Sequence, residues 1–468
     1  MRALLLLAVL LAVAGLVGAG LVFRPDTAAR VATGLVSHTL CSETFVAGLD
    51  PDEAFAENFQ TMPAVRWVLP LLRYQVDRAH REVVATLAGR FRSRAVHHRR
   101  VGCRLVFAGA DDAGMPETTP SDAAPSAGVA DIAGPAVVPP ANEALAAALD
   151  RAFAEPEAGP HRGTKAIVVL HDGRVVAERY APGYGIDTPL LGWSMTKSVV
   201  NALIGILVRQ GRLAVAAPAP VAAWRDASDP RHAITIEQLM RMTSGLALDE
   251  TNTGFDPSSR AVFTQADMAR FAESATLRAP PGTRHHYSSG STLILSGIVR
   301  DAVGGRAEDV LRFAERELFG PLGMRHVTLE FDAAGTPVGS SYMYASARDW
   351  ARLGLLYARD GVVDGRRILP EGWIDYSASP TAGSRDGYAA GFFTNRGDAE
   401  YARARVRGGM PADSFFASGA HGQRIVIAPA ERLVVVRLGR SQDWETFDMR
   451  GLIRLVSDAN LALNGRAR

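Results

Sequence analysis

The chain has 468 residues, 47% of them hydrophobic and 21% charged, with 51 Lys plus Arg against 49 Asp plus Glu. This is a core-forming chain with room for two or three domains, and a net charge of +2 lacks the basic excess expected of a nucleic-acid-binding protein. Only two cysteines are present, which excludes a disulfide-dense scaffold, an iron–sulfur protein and an all-cysteine zinc site.

The run from Ala3 to Phe23 carries no charge and follows Arg2. At about 1.5 Å per residue it could just cross a hydrocarbon core of roughly 30 Å. Residues 1–23 therefore read as a signal peptide, cut near Val17-Gly18-Ala19, or as a transmembrane anchor. Either reading puts the rest of the chain outside the cytoplasm, periplasmic or secreted, and the second adds the membrane as a partner through residues 3–23. In an oxidising compartment one disulfide between Cys41 and Cys103 is the simplest expectation, with two reduced, buried thiols as the alternative. Residues 24–107 are expected to form an N-terminal helical extension, because Phe55, Phe59 and Met62, then Val76, Val83 and Leu87, recur at roughly helical spacing. Residues 108–141 turn to Pro, Ala and Gly, with six prolines from Pro116 to Pro140, and read as a linker or surface loop.

The body spans 142–468. A short helix leads into Ala166–Leu170 and Val175–Tyr180, two β-rich runs around Asp172-Gly173, which is a hairpin signal. Near the other end Arg424–Ile427 and Leu433–Arg437 repeat the arrangement before a last helix from about Phe447 to Asn460. Strands from both ends would build one antiparallel sheet flanked by helices, with a mainly helical insertion over about 195–400. The fold class expected is α+β.

The sharpest chemical signal is Gly192-Trp193-Ser194-Met195-Thr196-Lys197, opening an amphipathic helix. Ser194 and Lys197 are three apart and share one face of its first turn. Serine alone is a poor nucleophile, and a desolvated lysine can take its proton near neutral pH. The helix N-terminus adds amide donors and a positive end for a developing oxyanion. By itself Ser-x-x-Lys is weak, equally read as a capping serine and a surface lysine.

With its surroundings the segment resembles the nucleophile motif of the serine β-lactamase and penicillin-binding-protein superfamily. Tyr287-Ser288-Ser289 is similar to that family's second motif, with Ser289 where class C enzymes carry asparagine. This variation resembles the esterase and aminohexanoate-oligomer hydrolase branch. Ala417-Ser418-Gly419 looks like the third motif, Lys-Thr-Gly, without its lysine. Other segments are similar too, including Ile234–Leu246, Phe319–Met324, Ser346–Arg352 and Gly419–Gln423, so the resemblance covers most of residues 160–440. It implies a β-lactamase-like sheet and a serine hydrolase acting on a small ester or amide. Ser194 would be the nucleophile and Lys197 with Tyr287 the base and proton relay. The backbone amides of Ser194 and Ala420 would form the oxyanion hole, and Trp193, Ser289, Ser418, Gly419 and His421 would contact substrate. No cofactor is implied. A lysine on the third motif helps hold a β-lactam's carboxylate, and Ala417 cannot do so.

The rival within the fold is a β-lactamase or D-alanyl-D-alanine peptidase; the rival of another class is an inactive, membrane-tethered binding relative. His285, His286 and His421 come without His-Glu-x-x-His or Cys-x-x-Cys, so no metal site is expected. Asp249-Glu250 reads as a solvated loop pair or as a carboxylate offered to substrate, and Arg348-Asp349 as a structural ion pair. Oligomeric state is not legible.

Overall fold

The computed structural model describes residues 25–60, 62, 68–107, 131–251, 253–442 and 447–465; the expected signal or anchor at 1–23 lies outside them. Among the described residues no helix is long and apolar enough to cross a membrane.

The first segment corrects the expectation of a helical extension. A helix, α1 (Pro25–Phe45), is followed by a short helical stretch over Pro51–Gln60 and then by four strands: β1 (Leu72–Asp77), β2 (Glu82–Leu87), β3 (Phe91–His98) and β4 (Gly102–Leu105). They form an antiparallel sheet in that order, with α1 packed on one face. Val76, Val83 and Leu87 satisfy helical spacing, but the chain turns between them. Arg81 and Ala88 both have φ of +53° and Gly89 has +66°, conformations that no helix accepts. Within β2 it is alternation that decides, since Val83, Ala85 and Leu87 are buried while the residues between them are not.

Cys41 of α1 is bonded to Cys103 of β4, with Cα atoms 6.0 Å apart. Beside the disulfide, the Cys103 amide and the Ser42 hydroxyl donate to Glu330 Oε1 at 2.7 and 2.8 Å, and His38 Nε2 lies 3.2 Å from Oε2. Burial pushes the Glu330 carboxyl up to about 8 and His38 down to about 4, so both can sit neutral in this dry contact. The small sheet is thereby clamped to the body. The bond closes a loop of 62 residues, worth about 4 kcal/mol on the chain-entropy account. The Cys41→Ala/Cys103→Ala variant is expected to lose that much locally. Hydrogen exchange would register it as earlier opening of β1–β4 than of the central sheet.

Residues 131–141 also differ from a free linker, while 108–130 lie outside the described residues. Ile132 and Ala133 are buried. The chain here runs along β6 (Arg174–Tyr180): the Val175 amide donates to the Ile132 carbonyl and the Ala141 amide to Val176. Arg348 holds the carbonyls of Gly134 and Ala136 at 2.7 and 2.8 Å. Prolines stop a helix here but leave carbonyls for a neighbouring strand and an arginine to use.

The body follows its expected plan. After α2 (Glu143–Phe153) come β5 (Thr164–His171) and β6, turned by Asp172 and Gly173 at φ of +51° and +80°, the paired left-handed residues of a tight hairpin. Gly173 is required on a second count, since a Cβ there would stand 2.0 Å from Arg359 Nη2. Four strands from the other end complete one antiparallel sheet: β7 (Phe393–Thr394), β8 (Phe415–Gly419), β9 (Gln423–Ala428) and β10 (Leu433–Gly439). The order is β7-β8-β9-β10-β5-β6, with Val168 opposite Val436 and Val169 opposite Val435.

Alternation sorts the two faces. Ile167, Val169, Val426 and Val435 pack under α2 and the last helix, which covers Phe447–Asn464. Val168, Leu170, Ile425 and Val434 face the larger core shared with the helical insertion. Gly354 of α-helix Ala347–Ala358 lets that helix lie close on the sheet: a Cβ there would meet Ile425 and Val434 at 2.7 Å.

Arg348 and Asp349 do not pair with each other. Arg348 binds Glu178, Nε to Oε2 at 2.9 Å, and Asp349 accepts from the amides of Arg325 and His326. Adjacent residues on a helix point about 100° apart, so each found its own partner.

Candidate active site

The turn expected to carry the nucleophile, Trp193–Met195, is a single 3-10 turn feeding the helix α3 (Thr196–Arg209). Two contacts force its shape. Gly192 abuts Trp350, so that a Cβ would stand 2.4 Å from the indole, and Trp193 takes φ of +47°, a costly conformation for a bulky residue. Strain held by packing in this way keeps Ser194 proud of the sheet edge and half-exposed, while Met195 behind it is buried.

Lys197, one turn on, is 3% exposed. Its Nζ lies 3.0 Å from Ser194 Oγ, 3.1 Å from Ser289 Oγ and 2.9 Å from the Ser340 carbonyl oxygen. Burial lowers its pKa to about 8, against an opposing pull from the Glu250 charge. A neutral amine has two hydrogens and one lone pair. The Ser340 carbonyl can only accept, and Ser289 can accept, which leaves the lone pair for the hydroxyl hydrogen of Ser194. This geometry suits removal of a proton from Ser194.

Tyr287 is half-buried, with its ring centre 5.0 Å from Lys197 Nζ. Burial, and next the Glu250 charge, push its pKa well above the ordinary phenol value, so it rests protonated and can donate. Tyr388 meets it edge-on at 5.5 Å and Phe393 stacks at 6.3 Å, fixing the ring. Two residues later Ser289 starts the helix α4 (Ser289–Val303), its amide held by Glu250 Oε2 at 2.5 Å.

The third expected motif reaches the same place. Gly419 ends β8 against the nucleophile turn: an added Cβ would lie 2.1 Å from the Gly192 carbonyl oxygen and 3.1 Å from Trp193 Cβ. The amides of Ser194 and Ala420 take part in none of the backbone hydrogen bonds of the described turns and loops. Ala417 is fully buried in the core that also holds Met195 and Val199, and Ser418 is half-exposed. His421 has φ of +59°, and burial, then the Arg440 charge, bring its pKa down to about 3, so it is neutral. Its ring lies 6.0 Å from that of Trp193, and Trp193 lies 5.8 Å from Tyr342. Ser194, Lys197, Tyr287, Ser289, Gly419 and Ala420 are thus brought together, with Trp193 and His421 forming one rim. Among the described residues no group of three His, Cys, Asp or Glu is arranged to hold a metal ion.

Several contributors escaped the sequence reading. The Ser340 carbonyl has no sequence signal at all, being backbone. Glu250 is more than a solvated loop residue, since it caps α4 beneath Lys197 and Tyr287. Asp249 beside it binds Arg278 and lies 3.0 Å from His286 Nε2. Arg424 and Arg437 are buried and grip the turn after Gly419. Arg424 Nη1 donates to the Gly419 carbonyl at 2.6 Å, and Arg437 Nη1 to those of His421 and Gly422 at 3.1 and 2.9 Å. The signal for both was available: a charged residue inside an apolar, both-faces-buried strand needs a fixed partner.

The Beta-lactamase family model matches residues 149–458. A 6-aminohexanoate-dimer hydrolase of Paenarthrobacter ureafaciens is 28% identical over 305 residues, covering 62% of this chain and 76% of its own. A penicillin-binding protein homologue from Caulobacter crescentus superimposes with a TM-score of 0.54 at 22% identity, over 70% of this chain and all of its own. A family VIII carboxylesterase superimposes with a TM-score of 0.54 at 16% identity, over 69% of this chain and 98% of its own. At those identities the two structures speak for the fold.

Proposed function

The chain belongs to the beta-lactamase family, and on that premise we propose that it is a serine hydrolase cleaving a small ester or amide through an acyl-enzyme on Ser194. The observation that carries this is the buried Lys197 amine, 3.0 Å from Ser194 Oγ with its other contacts taken by Ser289 and Ser340.

Lys197 takes the Ser194 proton as Oγ attacks the substrate carbonyl carbon. The amides of Ser194 and Ala420 receive the oxyanion, a pair of donors whose individual loss costs roughly 2.7–4 kcal/mol in comparable sites. The tetrahedral intermediate collapses, Tyr287 passes a proton to the leaving alkoxide or amine, and the acyl group stays on Ser194. Water, deprotonated by the same Lys197–Tyr287 pair, then releases the acid. The relative named a 6-aminohexanoate-dimer hydrolase supports a hydrolase. Ala417, small and buried, gives a β-lactam carboxylate no cation at the third motif, which favours esters and amides without that group. The Cys41–Cys103 bond supports a location in an oxidising compartment outside the cytoplasm.

The test is turnover of a short-chain p-nitrophenyl ester by the parent and by Ser194→Ala, with intact-mass analysis of the quenched reaction. Expected are hydrolysis by the parent, a transient acyl mass on the Ser194 peptide, and neither in the variant. Folded protein that gives no turnover and no adduct would favour the inactive binding relative instead.

A further inference from the structure

The charge of this chain is unevenly placed. Between residues 68 and 107 stand nine arginines against two carboxylates, Asp77 and Glu82, in a chain whose net charge is only +2. Three of the nine are accounted for by packing: Arg94 pairs with Glu82, Arg100 pairs with Glu315, and Arg104 is buried. The others are exposed.

Their positions form a pattern. In register across the sheet, Leu72, Leu87 and Phe91 turn inward towards α1, while their neighbours Arg73, Thr86 and Arg92 form one row on the outer face. Arg90 lies next to this row in the β2–β3 turn, and Leu71 beside it is 57% exposed. Arg73 spends its guanidinium on the carbonyls of Pro70 and Leu72. Among the described residues none of Arg73, Arg90 and Arg92 has a carboxylate partner. β1 is the sheet edge opposite β4, the strand whose Cys103 amide binds Glu330 of the body.

The start of α1 lies at the same end. Thr33 Oγ1 is 2.8 Å from Ser93 Oγ, and Cys41 is bonded to Cys103, which pairs with His97. Stepping back along α1 therefore runs towards the start of β3. Pro25 is about 12 Å before Thr33, and the Ala88–Arg90 turn is about as far before Ser93. The described chain begins with Pro25 at this level, with Asp26 and Arg30 of α1 exposed; in sequence Arg24 and the uncharged run Ala3–Phe23 precede it.

We propose that the face formed by Leu71, Arg73, Arg90 and Arg92 rests on an anionic lipid surface. Pro25, which the chain's most apolar segment precedes in sequence, lies level with a row of guanidinium groups that no carboxylate neutralises, suited to phosphate oxygens, and with an exposed leucine able to enter the interface. Each arginine near an anionic surface contributes about fivefold, so three together contribute about 100-fold.

The experiment is arginine footprinting of the full chain with phenylglyoxal, in nanodiscs of phosphatidylcholine alone or with added phosphatidylglycerol. Expected is shielding of Arg73, Arg90 and Arg92 in the anionic discs only, reversed by high salt, with Arg78, Arg81 and Arg99 labelled equally in both. Arg90→Glu/Arg92→Glu should re-expose Arg73, while Arg90→Lys/Arg92→Lys should keep it shielded, each variant retaining the parent's near-ultraviolet dichroism. Equal labelling in both discs overturns the proposal, as does shielding of Arg78, Arg81 and Arg99 to the same degree. Shielding by a soluble polyanion but not by anionic discs would assign the face to a polymer and overturn it too.

Discussion

Lys197→Ala is expected to lower kcat/KM for an ester substrate by about 10²–10⁴-fold with the fold intact, the usual range for a general base. The side chain is buried and contributes one amine to three contacts, so its loss leaves Ser289 Oγ and the Ser340 carbonyl short of a donor as well as Ser194 short of a base. The parent's pH profile carries a more specific signature. With a pKa near 8, Lys197 is protonated at lower pH, and kcat/KM should fall about tenfold per pH unit below that value. Glu250 holds the pKa up, because its negative charge favours the ammonium form. Glu250→Gln should therefore move this limb to lower pH, and a limb that moves upward or stays fixed would contradict the assignment. Tyr287→Phe should lower turnover by a comparable factor without moving the limb in the same way, since its phenol rests protonated.

Gly419→Ala is expected to lower kcat by about 10²–10³-fold while leaving the protein folded, as removal of one oxyanion donor does elsewhere. A methyl group there would lie 2.1 Å from the Gly192 carbonyl oxygen, well inside contact distance, and 3.1 Å from Trp193 Cβ. Both are parts of the nucleophile turn, and Trp350 blocks that turn from retreating on its other side. The relief available is for β8 to move off, which separates the Ala420 amide from that of Ser194. Ser418→Ala at the half-exposed neighbour should cost far less, and together the two variants distinguish displacement from lost polarity. Parent-like kcat in Gly419→Ala would place the oxyanion elsewhere.

How much of this was legible follows from how local each signal is. The hairpin at Asp172-Gly173 was readable because two residues with positive φ between β-rich runs leave few alternatives. Ser194 with Lys197, and Tyr287 with Ser289, were readable as motifs because each pair lies within four consecutive residues. The region 68–107 was misread because Val76, Val83 and Leu87 satisfy two periods at once. The turns that separate them are made by Arg81 and Ala88, residue types that do not announce positive φ. Residues 131–141 were misread because lacking a helix says nothing about being strapped to a strand edge.

The sequence by itself determined the α+β plan and the union of strands from both ends, and it singled out Ser194, Lys197 and Tyr287 as candidates, since these rest on periodicity and on side-chain chemistry within a few residues. Only the tertiary structure decided what surrounds them. The Ser340 carbonyl, 143 positions from Lys197, directs that amine's lone pair. Glu250 reaches the start of α4 from 39 positions away, and Glu330 receives Cys103 from 227 away. Such contacts follow from where the packed core brings distant backbone together, and neither a periodicity nor a motif records that distance.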